Sequence, residues 1–131
     1  MRKLMNKKGF SLVELMIVVV IMGILIAVAI PLYGAITKNA NNKTCASNIK
    51  NIKNTCANYY SSYDQQTADK AAILSMMEGK AAPKCPINKN NDYTVKVAED
   101  GSATVQCPNV GTDGHAPEGS GTATGGFSLG A

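Results

Sequence analysis

Hydrophobic and polar positions divide this chain into three regimes. Of the 21 residues from Phe10 to Ile30, only Ser11, Glu14 and Gly23 are not strongly apolar. As a helix rising about 1.5 Å per residue, this block spans about 31 Å, the hydrocarbon thickness of a bilayer. It is apolar all round, so it needs lipid or other helices on every side. Beyond Pro31 the pattern becomes amphipathic: Cys45, Ile49, Ile52, Cys56, Tyr59 and Tyr63 are separated by 4, 3, 4, 3 and 4 residues, one stripe on a helix. The intervening Asn, Lys and Ser face solvent. One long helix over about residues 10–62 is therefore predicted, with a membrane half and an amphipathic half.

The third regime is short-range and mixed. Asp64 to Thr67 reads as a loop, and Asp69 to Glu78 as a short helix whose apolar surface is Ala71, Ile73, Leu74, Met76 and Met77, with Gly79 as its stop. Tyr93, Val95 and Val97 alternate with polar residues, as do Ala103, Val105 and Cys107, across Glu99-Asp100-Gly101-Ser102, which predicts a β-hairpin. From Gly111 to Ala131, 7 of 21 residues are Gly, and a flexible tail is expected, with Phe127 and Leu129 fraying at its end. The fold class is α+β: a long N-terminal helix and a small C-terminal head containing a short helix and a hairpin.

Charge changes the picture at one end only. Of 13 Lys and Arg against 9 Asp and Glu, Arg2, Lys3, Lys7 and Lys8 precede any acid, so the chain after residue 8 is balanced. Without a basic run and with no Trp, it lacks the electrostatic footprint of a phosphate binder, and direct nucleic-acid binding is not indicated. The basic leader places the N-terminus in the cytoplasm and sends the chain beyond the apolar block outward.

Three interpretations of the leader and apolar block compete. An ordinary secretory signal would use Leu15 to Ile26 as its apolar region and Ala27-Val28-Ala29 as its cleavage site, releasing a soluble binding domain from Ile30. It would leave Pro31 just past the cut and Glu14 at the head of the apolar region. A plain single-pass anchor leaves Glu14 without purpose, although an acid at the centre of a spanning helix costs about 2.5–3.5 kcal/mol. The string Lys7-Lys8-Gly9-Phe10-Ser11-Leu12-Val13-Glu14, followed by Leu15 to Ile30 and then Pro31, resembles the N-terminus of type IV prepilins and the related pseudopilins. That resemblance implies cleavage after Gly9 by prepilin peptidase and N-methylation of Phe10 by the same enzyme. It also implies a role for Glu14 as charge partner of the Phe10 α-amine on a neighbouring subunit. Pro31 cannot donate to the helix ladder, so a kink or local melting is expected there.

Four cysteines in an exported head suggest disulfides. Cys45 and Cys56 lie about 16.5 Å apart along an unbroken helix, too far to bridge. If all four are bridged, Cys85 and Cys107 each reach back to the helix; a single Cys85 to Cys107 bridge around the hairpin is the other arrangement. Cys85-Pro86 through Tyr93 to Cys107-Pro108, with Cys45-Ala46-Ser47-Asn48-Ile49 upstream, resembles the Cys-Pro hairpin of some small pilin-like proteins. No Cys-x-x-Cys or paired His is present, so a zinc site with His115 is set aside and no metal or cofactor is expected. Asp113 and Glu118 near His115 offer a calcium alternative, read as a solvated loop. With one histidine and no Ser/His/Asp spacing or phosphate-cradling loop, enzymatic chemistry finds no support.

The organisation expected is a cleaved leader (1–9), a transmembrane and filament-core helix (10–36), its amphipathic continuation (37–63), a disulfide-stapled head (64–110) and a flexible tail (111–131). The resemblance implies a structural subunit of a type IV pilus or pilus-like filament, with a pseudopilin of a type II secretion or competence DNA-uptake system as the alternative. Its partners would be other pilins in a homo- or hetero-polymer, the prepilin peptidase and methyltransferase, and an inner-membrane assembly platform. It would be a single-pass protein of the cytoplasmic or inner membrane before assembly, then part of an extracellular or periplasmic filament with its head exported.

Overall fold

The computed structural model describes residues 8–63 and 69–130. Arg2, Lys3 and Lys7 of the basic leader and the loop expected at Asp64 to Thr67 lie outside the described residues. The chain divides into two compact units, Met1–Ile36 and Thr37–Ala131, and one helix, α1 (Leu12–Tyr63), contributes to both. Its 52 residues agree with the predicted long helix. Residues on both sides of Pro31 are helical, so of the kink or local melting expected there, melting is not seen.

In the first unit every described residue is exposed, including Val19, Leu25, Val28 and Ile30. Its mean hydropathy reaches 3.1 over an 18-residue window of which none is buried, making α1 long and apolar enough to cross a membrane. This stretch has no core of its own.

The second unit has one. The stripe predicted on α1 is its floor: Cys45, Ile49, Ile52, Cys56 and Tyr59 are all buried, and the side chain of Tyr63, the last predicted member, lies outside the described ones. Over it pack Ile73 and Met77 from the segment of α2 (Lys70–Met76), then Cys85, Tyr93, Val95, Val105, Cys107 and Leu129. Full burial of each large aliphatic side chain contributes about 1.5–3 kcal/mol. Asp69 caps α2 by accepting from the Ala71 amide at 3.0 Å. The helix ends at Met76, two residues earlier than the periodicity suggests, and a 3-10 turn over Glu78–Lys80 follows.

The hairpin forms as predicted. Strands β1 (Thr94–Val97) and β2 (Ala103–Gln106) are antiparallel, pairing Val95 with Val105 and Val97 with Ala103. The turn is fastened to α1, because Tyr60 donates its hydroxyl to the Glu99 carbonyl at 2.6 Å while its ring lies against Gly101. Gly101 has φ +83°, and a Cβ there would sit 2.4 Å from the Tyr60 ring, so both conformation and contact require glycine.

The segment expected as a flexible tail is instead part of the head. Strand β3 (Phe127–Ser128) adds antiparallel to β1, giving a three-stranded sheet in the order β2-β1-β3, with Phe127 opposite Val95. Leu129, expected to fray, is 2% exposed, and its amide donates to the Tyr93 carbonyl at 2.9 Å. Upstream, Ser120 accepts from the Cys107 amide, Gly121 donates to Val105, and the Gly119 carbonyl accepts from Lys53. Glycine composition misleads here because close backbone packing also selects glycine: a Cβ on Gly126 would lie 2.3 Å from the Val95 carbonyl oxygen.

Candidate functional site

The N-terminal unit carries the residues expected for processing and assembly. Gly9 and Phe10 precede the helix in non-helical, exposed backbone, and Phe10 is 83% exposed. Ser11 and Glu14 form a reciprocal pair at the start of α1. The Ser11 amide donates to Glu14 Oε2 at 2.9 Å, and the Glu14 amide donates to Ser11 Oγ at 3.2 Å. This is a capping box, which satisfies two of the four amides that a helix start leaves unpaired. The Ser-x-x-Glu spacing announces it in the sequence; attention to Glu14 as a charge in lipid obscures its local role. Its carboxylate also suits the positive end of the helix dipole.

The head holds the second candidate. Cys45 on α1, Cys85 in the loop before β1, Cys107 after β2 and His115 in the C-terminal segment converge, with their sulfur and imidazole donor atoms all within 4.8 Å of one another. Cys45 Sγ lies 3.2 Å and Cys85 Sγ 3.7 Å from Cys107 Sγ. His115 Nε2 lies 3.6 Å from Cys85 Sγ and 3.5 Å from Cys107 Sγ. The three cysteines are 0–1% exposed and His115 3%. All four cysteines of the chain are free thiols, and Cys56, buried elsewhere on the α1 stripe, is not a member of this group. Of the two bridged arrangements expected, the one that pairs all four cysteines finds Cys56 apart from the group, while Cys85 and Cys107 both lie beside Cys45.

Two Cys-Pro turns, an open bend at Pro86 and Ile87 and a turn over residues 108–111, flank the sulfurs. Each of Cys85-Pro86 and Cys107-Pro108 has its proline at the position where a fixed φ favours a turn. The turns direct the Ile87 and Asn88 amides at Cys85, and the Asn109 amide at Cys107. Burial pushes the thiols of Cys45 and Cys107 up. Burial acts in the same sense on Cys85, but the Asn109 side chain, those two amides and Cys107 outweigh it and hold this thiol below its usual range. Tyr93 Oη touches Cys45 Sγ at 3.0 Å and accepts from Asn48 Nδ2 at 3.3 Å. Desolvation lowers the basicity of His115. Its Nδ1 and the Asn109 Nδ2 are buried without a hydrogen-bond partner.

These four donors, set aside as a metal site on their spacing in the sequence, are close enough together to hold a metal. Spacing concealed them, since they come from four separate parts of the chain with no short repeat. The calcium alternative is not supported: His115 turns inward, and Asp113 and Glu118 join no cluster of three or more ligating groups among the described residues.

Residues 4–30 match the prokaryotic N-terminal methylation motif. Over 103 residues the chain is 34% identical to the type IV narrow pilus major component PilA5 of Thermus thermophilus, spanning 79% of this chain and 80% of that protein. A ComG operon protein 3 homolog of Bacillus licheniformis is 29% identical over 85 residues, 65% of this chain and 88% of the relative. A fimbrial protein of Pseudomonas aeruginosa is 36% identical over 104 residues, 76% of this chain and 57% of the relative. No solved structure matches the chain significantly.

Proposed function

The chain belongs to the type IV pilin family, and from that premise we infer that it is a structural subunit of a type IV pilus or closely related filament, not an enzyme. Prepilin peptidase cleaves after Gly9 on the cytoplasmic side, and methylation follows on the new amine of Phe10. Before assembly the apolar half of α1 anchors the subunit in the cytoplasmic or inner membrane with its head outside. An inner-membrane platform then draws it into a filament, where residues 10–36 pack against the same segment of other pilins.

The observation that supports this reading best is the exposed, coreless first unit. Its apolar surface is unburied on every side, and its one described acid stands five residues past the Gly9-Phe10 junction. Such a helix needs lipid before assembly and neighbouring helices afterwards. Glu14 would pair with the Phe10 α-amine of an adjacent subunit, so that neither charge is desolvated alone. Pro31 removes one ladder hydrogen bond and marks where the helix yields during extraction.

Mass spectrometry of the subunit N-terminus, taken from sheared filaments, tests this. A chain beginning at N-methylated Phe10 supports the proposal, and one beginning at Ile30 overturns it in favour of a secreted binding domain. A competence or secretion pseudopilin is the second reading, favoured by the 88% of the Bacillus licheniformis relative that aligns. Deletion of the gene separates the two: loss of long surface filaments supports a pilus, and loss of DNA uptake or secretion with filaments intact supports the pseudopilin.

A further inference from the structure

We propose that Cys45, Cys85, Cys107 and His115 form a tetrahedral site for a structural zinc ion that ties the four parts of the head together. Distance is the first ground. Zinc binds cysteine sulfur at about 2.3 Å and histidine nitrogen at about 2.0–2.1 Å, so a tetrahedral set has edges of about 3.8 Å between sulfurs and about 3.5 Å from sulfur to nitrogen. The observed 3.7 Å between Cys85 and Cys107, and 3.6 and 3.5 Å from these sulfurs to His115 Nε2, reproduce those edges. The Cys45 to Cys107 separation of 3.2 Å is about half an ångström short of the tetrahedral edge, a small adjustment for one side chain.

The donor set selects the ion. Three thiolates and one imidazole suit zinc, and carboxylate-seeking calcium or magnesium has no place among them. A closed site with four protein ligands, all at most 3% exposed, is structural and leaves no position for substrate.

Hydrogen-bond donors stand around the sulfurs. The amides of Ile87 and Asn88 approach Cys85, the Asn109 amide approaches Cys107, and Tyr93 Oη can donate to Cys45. The Asn109 Nδ2, otherwise without a partner, lies beside Cys85 and gains one when that sulfur is an anion. Binding releases the three thiol protons to solvent, and three thiolates with a divalent ion leave one net negative charge, which these donors share. A cavity of about 20 Å³ lined by Lys38, Asn42, Ile87 and Asp113 adjoins His115, room for one water.

The test uses full-length protein purified in detergent without reductant or chelator. Metal is quantified by mass spectrometry, and thiol state by peptide mapping under non-reducing conditions. About one zinc per chain is expected, with Cys45, Cys85 and Cys107 unbridged. Cobalt(II) exchanged into the site should show tetrahedral ligand-field bands and sulfur-to-metal charge transfer. Cys107→Ser should lower bound zinc about tenfold or more, and Tyr93→Phe, which removes a positioning hydroxyl, should weaken affinity about tenfold. Cys56→Ser should leave zinc content unchanged. His115→Cys keeps four ligands and should retain metal with a cobalt spectrum of four thiolates, which keeps the test decisive if Cys107→Ser does not fold. A Cys45 to Cys107 or Cys85 to Cys107 disulfide in the purified chain overturns the proposal. So does a reduced chain that takes up no zinc, or zinc content that is indifferent to both Cys107→Ser and His115→Cys with a cobalt spectrum unchanged in the latter.

Discussion

Glu14 is given two different tasks, and a pair of substitutions separates them. In the single subunit its carboxylate accepts from the Ser11 amide at 2.9 Å and completes the helix cap. In the filament it is proposed to meet the Phe10 amine of a neighbour. Loss of a cap costs about 0.5–2 kcal/mol, typically about 1. Removing one partner of a desolvated charge pair costs about 2–5 kcal/mol, because the other charge is left buried. Glu14→Gln keeps a side-chain oxygen for the Ser11 amide and deletes only the charge. Ser11→Ala keeps the charge and deletes the oxygen that the Glu14 amide uses at 3.2 Å. If pairing between subunits dominates, Glu14→Gln lowers incorporation on the order of 100-fold, which corresponds to about 3 kcal/mol. Ser11→Ala then lowers it only about fivefold, the effect of about 1 kcal/mol. The assay is the ratio of subunit in the sheared filament fraction to subunit in the membrane fraction, with the N-terminal mass confirming that each variant is cleaved. Wild-type incorporation of Glu14→Gln together with failure of Ser11→Ala would refute charge pairing and leave Glu14 as a helix cap.

Two further outcomes concern the head. Leu129→Ala, at a side chain 2% exposed, should destabilise it by about 2–5 kcal/mol and lower the thermal midpoint of the full chain in detergent by about 10 °C or more; an unchanged midpoint would mean that β3 does not dock. Burial raises the Cys56 thiol to about 11, so at pH 8 only about a thousandth is thiolate and maleimide labelling in the folded chain should be far slower than after denaturation. Because the folded value lies above the ordinary thiol value of 9.0, the stability contributed by the neutral thiol is complete below that value and is lost as pH rises from about 9 to about 11, the reverse of the carboxylate case. Equal labelling rates in the two states would place Cys56 outside the core.

The long helix was legible because its signal is redundant. An all-apolar block and a 4-3-4-3-4 stripe are read independently, and Cys45, Ile49, Ile52, Cys56 and Tyr59 are buried as that stripe requires. The hairpin was legible for the same reason, since alternation flanks a turn on both sides. Features that depend on contacts between distant residues did not show. A glycine that frees the backbone and one that lets two strands touch are identical letters, so Gly126, whose hydrogen faces the Val95 carbonyl, reads as part of a flexible tail. Composition cannot distinguish these cases; only a partner strand can.

The four buried donors extend the same point to chemistry. Familiar zinc patterns are visible because two ligands sit on one turn, two or three residues apart, and the local backbone fixes them before the fold is complete. Here Cys45, Cys85, Cys107 and His115 are separated by 40, 22 and 8 residues, and only docking of α1, the hairpin and the C-terminal segment brings them within 4.8 Å. The local half of the signal was nevertheless present twice, as Cys85-Pro86 and Cys107-Pro108, each a turn that aims backbone amides at its own sulfur. One such turn is a loop with a buried thiol. Two of them facing a third cysteine and an imidazole place four ligating atoms where a core of this size would otherwise put hydrocarbon, and that substitution is explained if a cation completes the set.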